Sequence, residues 1–185
     1  AFDKGYSFPR CRKLLRRRGL RVQPFKVGPD FIDPGFHALV AGRPSYSLDG
    51  WMCSRDQVRA TVAQHSADAD LALVEGVMGC FDGRGAESEE GSTAEIAKWL
   101  GAPVVLVADA GARARCPGAV VLGFESFDPE LDLTGVVFNR VAGDAHWRWL
   151  REAVTARCRT VPLGYLPHRE SLALPERHLG LVTAA

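Results

Sequence analysis

The amino-acid sequence predicts an α/β fold, a mostly parallel sheet flanked by helices. Short apolar runs recur at residues 20–25, 71–74, 103–108, 133–138 and 161–166, and helical patterns fill the intervals between them. That alternation is the signature of βαβ units, and the runs read as strands buried on both faces. A chain of 185 residues, 46% of them apolar, is long enough for one sizeable core. The expectation is one α/β domain over residues 1–185, atypical over residues 1–10.

Taken in order, the first helix is expected at residues 10–18. Its Arg10, Arg12, Lys13, Arg16, Arg17 and Arg18 read as a solvated face whose cations favour the helix carboxyl end. A strand at 20–25, a helix at 54–65 and a strand at 71–74 follow. The stretch GRGAESEEG at 83–91 reads as a flexible, acidic surface loop. The best-marked helix is 92–100, where Ser92 and Glu95 have the spacing of a capping box and Gly101 with Pro103 supplies the stop. The strand at 103–108, a helix at 118–124, the strand at 133–138, a helix at 144–157 and the strand at 161–166 complete the pattern.

Composition removes several classes of function. Twenty-three Lys and Arg against 22 Asp and Glu leave a formal charge of +1, so no global field recruits nucleic acid or a membrane surface. The basic run at 10–18 lacks interleaved aromatic residues, and no excess of positive charge elsewhere extends it into a nucleic-acid footprint. No apolar stretch approaches the roughly 20 residues a membrane helix needs, and the first residues do not read as a signal peptide; a cytoplasmic protein is expected. Cys11, Cys53, Cys80, Cys116 and Cys158 are odd in number, scattered and without a CxxC pair, which argues for reduced thiols and against a zinc site.

In an open parallel sheet, ligands bind beyond the carboxyl ends of the strands. KVGPDFIDPGFH follows the first run and supplies Lys26, Asp30, Asp33 and His37; Glu75 and Asp82 follow the second, Asp109 ends the third and Asn139 ends the fourth. A single Asp after a strand is more often a turn or cap residue than a ligand. Jointly, carboxylates at one sheet edge repel unless a cation sits among them, and hard oxygen donors suit Mg²⁺ shared with phosphates. A magnesium nucleotide site is the natural reading. Pro29 and Pro34 brace the loop that carries Asp30 and Asp33. His37, beside Phe36 and Leu39, is open to a packed role or a catalytic one.

The segments VQPFKVGPDFIDPGFH (22–37), SLDGWM (47–52), VEGVMGCFDG (74–83), GSTAEIAKWLGAPVVLVADA (91–110), GVVFNRV (135–141) and LGYLPHRESLALPERHLGLV (163–182) closely resemble the amino-terminal domain of the cobyrinate or hydrogenobyrinate a,c-diamide synthases. The GPDxIDPxxH loop and the PERHLGL phrase separate this resemblance from the dethiobiotin synthetases, which share the P-loop NTPase architecture it implies. It also implies ATP-dependent amidation of two peripheral carboxylates of a corrin ring through acyl phosphates, with ATP as substrate, Mg²⁺ as cofactor, and a glutaminase domain or subunit as the ammonia source. A homodimer is a further, open expectation. Carried over residue by residue, Asp30, Asp33, Glu75 and Asp82 are the catalytic acids, Asp33 and Glu75 hold the metal, and Lys4 and Asn139 bind the nucleotide. Phe31, His37, Ser92 and Thr93 are the substrate-facing candidates.

The sequence departs from the pattern at the phosphate loop. Lys4 stands where the loop lysine is expected, but Asp3 replaces a glycine, Gly5 and Tyr6 replace the two hydroxyl residues, and Pro9 falls where the helix should run. A second departure, Cys116-Pro117-Gly118, is compatible with a helical first turn. An alternative function is therefore a corrinoid-binding or scaffolding domain that has lost its phosphate loop, and a weaker one is a partitioning-type or dethiobiotin-synthetase-type ATPase.

Overall fold

The computed structural model describes residues 15 and 17–168. These form parallel sheets flanked by helices, in two compact units. In the unit ending at Leu100, the strands β1 (Val22–Val27), β2 (Tyr46–Leu48) and β3 (Leu71–Glu75) pair in parallel in the order β2-β1-β3. The central strand β1 is buried at every position, as its apolar run predicts. The other strands are only partly buried, so the expectation of strands buried on both faces holds for β1 alone in this sheet.

Pro24 lies inside this central strand, where a missing N–H should break the ladder. Pairing with β2 begins only at Phe25↔Tyr46, so the proline falls before the second neighbour joins. The Gln23 amide donates to the Pro44 carbonyl at 2.8 Å and bridges the gap.

Two elements of this unit are absent from the sequence reading. Residues 33–41, read as part of a proline-braced loop, form α1 (Asp33–Ala41), because Pro34 occupies the first helical turn, where its fixed φ favours a helix. The short strand β2 carries too few apolar residues to announce itself. Lys26, placed after the first strand by sequence, lies within β1. The helix expected at 54–65 is α2 (Arg55–Ser66), with a full capping box between Ser54 and Gln57. In α3 (Thr93–Leu100) the expected box is only half formed: the Glu95 N–H donates to Ser92 Oγ, but the Glu95 carboxylate accepts from Gly91 rather than from Ser92. Phe25, Val27, Leu48, Val58 and Ile96 form the core.

In the other unit, β4 (Val104–Asp109), β5 (Leu133–Val141) and β6 (Val161–Pro167) pair in parallel in the order β4-β5-β6. The helices α4 (Cys116–Phe127) and α5 (Asp144–Thr155) pack against each other. Pro117 sits in the first turn of α4, and a Cβ on Gly118 would lie 3.1 Å from Ala153, so this glycine permits the close helix approach.

Glu125 ties α4 to the residues before β6. Burial alone would push its carboxyl up, but hydrogen bonds from the Thr160 and Arg159 N–H groups, the Thr160 hydroxyl and the Arg159 guanidinium hold it at about 2. A depressed folded-state value stabilises above the ordinary 4.5 and loses that contribution as pH falls toward 2. Glu125→Gln should therefore destabilise the protein by about 1–2 kcal/mol at pH 7 after allowance for solvent screening. Denaturant unfolding should show the gap closing between pH 4.5 and pH 2; a gap independent of pH would contradict this origin.

Cys53, Cys116 and Cys158 are free thiols, and no described helix is long and apolar enough to cross a membrane. The helix expected at 10–18 lies almost entirely outside the described residues.

Candidate functional site

The carboxyl edge of β1 and β3 gathers the charged groups of the first unit. Parallel register sets Lys26 directly beside Glu75, so the two side chains leave the sheet at the same level. Both residues are buried. The Lys26 ammonium donates to the Gly76 carbonyl at 2.9 Å and stands 3.3 Å from Asp33 Oδ2 and 3.7 Å from Glu75 Oε1. Asp33 reaches it from the first turn of α1, so the missed helix is what delivers this carboxylate.

His37, one turn further along α1, is 1% exposed. Its Nε2 meets Glu75 Oε2, and its Nδ1 lies 3.3 Å from Ser45 Oγ. A carboxylate only accepts, so Nε2 carries a proton and donates. His37 thus contacts Glu75 and Ser45. Ser45, three positions after the Gly42 that caps α1 and directly after Pro44, carried no sequence signal at all.

The other two candidate acids of this unit, Asp30 and Asp82, serve turns. Asp30 Oδ1 accepts from the Ile32 N–H at 2.8 Å and the Asp33 N–H at 3.1 Å, closing the turn that opens α1. Asp82 Oδ2 accepts from Gly79 at 2.6 Å, and Asp82 is exposed. Gly28, at φ +84°, turns the chain out of β1 with its N–H on the Leu48 carbonyl. Asp30 and Glu75 thus lie at the same sheet edge, yet only Asp33 and Glu75 share a charged partner. Among the described residues no three His, Cys, Asp or Glu side chains are grouped as a metal site.

Phe31 is 92% exposed. Ser92 is buried and caps α3, while the Thr93 hydroxyl accepts from the Val77 N–H and donates to the Val77 carbonyl, locking the loop after β3. Both hydroxyls are therefore committed within the protein. Lys4 lies outside the described residues.

In the second unit, Asn139 is buried on β5 beside Asp109 on β4. Asp109 is bound by Arg140, by the Gly111 N–H at 2.9 Å and by Arg113, and the Arg140 hydrogen bonds foremost hold its carboxyl at about 2. Arg140 has φ +58°, unusual for a residue with a side chain, and its ion pair with Asp109 accompanies that conformation. Sequence reasoning picked out Asp109 as a strand-end acid but not its arginine.

A family model described as an AAA domain matches residues 49–176. The chain is 54% identical over 171 residues to the cobyrinate a,c-diamide synthase of Syntrophotalea carbinolica, covering 92% of this chain and 37% of that protein. It is 47% identical to the Salmonella typhimurium enzyme of the same name and 48% identical to that of Archaeoglobus fulgidus, each covering 93% of this chain. The chain spans little more than a third of the length of these relatives, 38% of the Salmonella protein and 37% of the Archaeoglobus one. Among solved structures, the Signal Recognition Particle 54 kDa protein of Aeropyrum pernix, in complex with GDP, is similar in fold: TM-score 0.54, 19% identity, 91% of this chain and 40% of that one.

Proposed function

The chain belongs to the AAA-domain family, and from that premise we propose that it supplies the synthetase half of a cytoplasmic glutamine amidotransferase. Its reaction is ATP-dependent amidation of the a- and c-side-chain carboxylates of cobyrinic or hydrogenobyrinic acid. The observation that supports this most is the cluster of buried Lys26 and Glu75 with half-buried Asp33 at the carboxyl edge of β1 and β3, in a chain so similar to named synthases.

A carboxylate is a poor electrophile until one oxygen becomes a leaving group. Its oxygen attacks the γ-phosphorus of ATP, ADP departs, and an acyl phosphate forms. Ammonia from a glutaminase domain or subunit then adds to the acyl carbon, phosphate leaves with the C–O electron pair, and the nitrogen loses a proton. Lys26 places its ammonium where the transferring phosphoryl group gains charge at its equatorial oxygens. Two carboxylates are the donor set that phosphate-bound Mg²⁺ uses, so Asp33 and Glu75 fit the ion, which when bound neutralises phosphate charge. His37 acts through Glu75, and Asp30 acts through the turn that presents Asp33. Asp82 braces the loop after β3, Ser92 and Thr93 fix that loop on α3, and Lys4 and Asn139 serve the nucleotide.

The test gives the chain a GxxxxGKT loop around Lys4 and supplies cobyrinic acid, MgATP and ammonium. Mono- and diamide should appear by mass, and the chain without that loop should show about 10²–10³-fold less. No amide from the loop-bearing chain would contradict the reading.

A further inference from the structure

Ser45 stands directly before β2, and Glu75 ends β3, on the far side of β1. The two outer strands lie about 10 Å apart, two strand spacings, too far for a serine and a glutamate to touch. The His37 ring of α1 spans that gap: its Nε2 meets Glu75 Oε2, and its Nδ1 lies 3.3 Å from Ser45 Oγ. One buried imidazole therefore joins a hydroxyl at one side of the three strands to the carboxylate at the other. The mechanism above uses Glu75 and His37 but gives Ser45 no part.

The backbone holds Ser45 firmly on both sides. Before it, the Pro44 carbonyl accepts from the amide of Gln23, a buried residue of β1, at 2.8 Å. After it, Tyr46 pairs with Phe25 of the same strand and stacks on His65, ring centroids 3.6 Å apart. The hydroxyl is thus fixed relative to the central strand that carries Lys26. Glu75 settles which ring nitrogen of His37 is protonated, since a carboxylate takes a hydrogen bond only from Nε2–H. One anchor still leaves the ring able to turn about Cβ–Cγ, because terminal torsions of this kind have broad minima. A second anchor on the other nitrogen removes that freedom.

We propose that Ser45 is a positioning residue for Glu75: its hydroxyl donates to His37 Nδ1 and keeps the ring in the plane that puts Nε2–H on the carboxylate. With the proton on Nε2, Nδ1 of the neutral ring is an acceptor, and a serine hydroxyl rotates to supply the donor. The two oxygens of Glu75 then have separate tasks: Oε2 takes the His37 proton, and Oε1 faces Lys26 Nζ at 3.7 Å. Partners beyond the first layer of a site orient its acids in this way. The bearing of Ser45 on catalysis rests on the amidation argued above, whereas its hold on His37 does not.

The test compares two side chains of one shape. Ser45→Thr keeps the hydroxyl and Ser45→Val replaces it with a methyl group; Ser45→Ala removes it without added bulk, in case valine disturbs the fold. Each is made in the chain with the GxxxxGKT loop and labelled with ¹⁵N in its histidines. The His37 signals, identified by their loss in His37→Gln, are read in ¹H–¹⁵N spectra at one slightly alkaline pH. The parent and Ser45→Thr should show a slowly exchanging, downfield Nε2–H and an unprotonated Nδ1. In Ser45→Val and Ser45→Ala that proton should exchange quickly with water and move toward the position of a free imidazole. The same two variants should lose about three- to tenfold in kcat for ammonia-dependent amidation, less than an outer-shell partner itself, with KM for ATP and cobyrinic acid within about twofold. A parent ring protonated at both nitrogens would overturn the proposal. So would hydroxyl-free variants that lose stability yet keep the parent's Nε2–H signal and kcat. The expected spectra in a chain that makes no amide would keep the hold of Ser45 on His37 and overturn the amidation.

Discussion

Lys26→Ala, made in the chain with the GxxxxGKT loop, should lower ammonia-dependent amidation by about 10²–10³-fold and destabilise the fold by about 3–5 kcal/mol. The two losses have different sources. The rate falls because the ammonium no longer meets the transferring phosphoryl group. Stability falls because Glu75, buried at the edge of β3, loses the counter-ion 3.7 Å away. Asp33 is more exposed and takes up water instead, so the penalty resides mainly in Glu75. A double-mutant cycle separates the effects. Adding Glu75→Gln to Lys26→Ala should recover much of the stability in denaturant unfolding and none of the activity. If the double variant is as unstable as the sum of the singles, the pair is not coupled as described.

His37→Leu should act on the same cluster from the other side. Leucine cannot donate to Glu75 Oε2, and an unsatisfied buried acceptor costs about 1–3 kcal/mol. The freed carboxylate loses its orientation, and outer-shell partners of this kind are worth about 10–100-fold in activity. The effect should fall on kcat, with KM for the corrin substrate within about twofold, because His37 acts by orienting Glu75. His37→Gln, which can still donate, should recover part of both losses. A rise in KM with kcat unchanged would show that the histidine touches substrate after all.

What was legible in the sequence follows from how strongly each segment's local preference agrees with its final state. Five strands and the helices α2 to α5 were readable because apolar period, caps and breakers coincide there. The helix α1 was hidden because Pro29, Pro34, Gly28 and Gly35 argue for a turn, and only tertiary contact turns Pro34 into a helix start. That one element decides the site, since it carries both Asp33 and His37. The strand-end rule correctly brought Glu75 and Asp33 to one edge. It could not distinguish them from Asp30 and Asp82, whose carboxylates are spent on turns two or three residues away. It also could not show Lys26 between the acids, because a buried lysine in a strand has no local signature. Ser45 was invisible for the same reason: its partner lies eight residues off, across a helix.

The claim that a substrate carboxylate is phosphorylated before ammonia attacks is tested most directly by an isotope. Cobyrinic acid labelled with ¹⁸O in its side-chain carboxylates is given to the loop-bearing chain with MgATP and ammonium, and the released phosphate is analysed by mass. The acyl phosphate route predicts one ¹⁸O in the phosphate for every amide formed. Amide formation with unlabelled phosphate would contradict it.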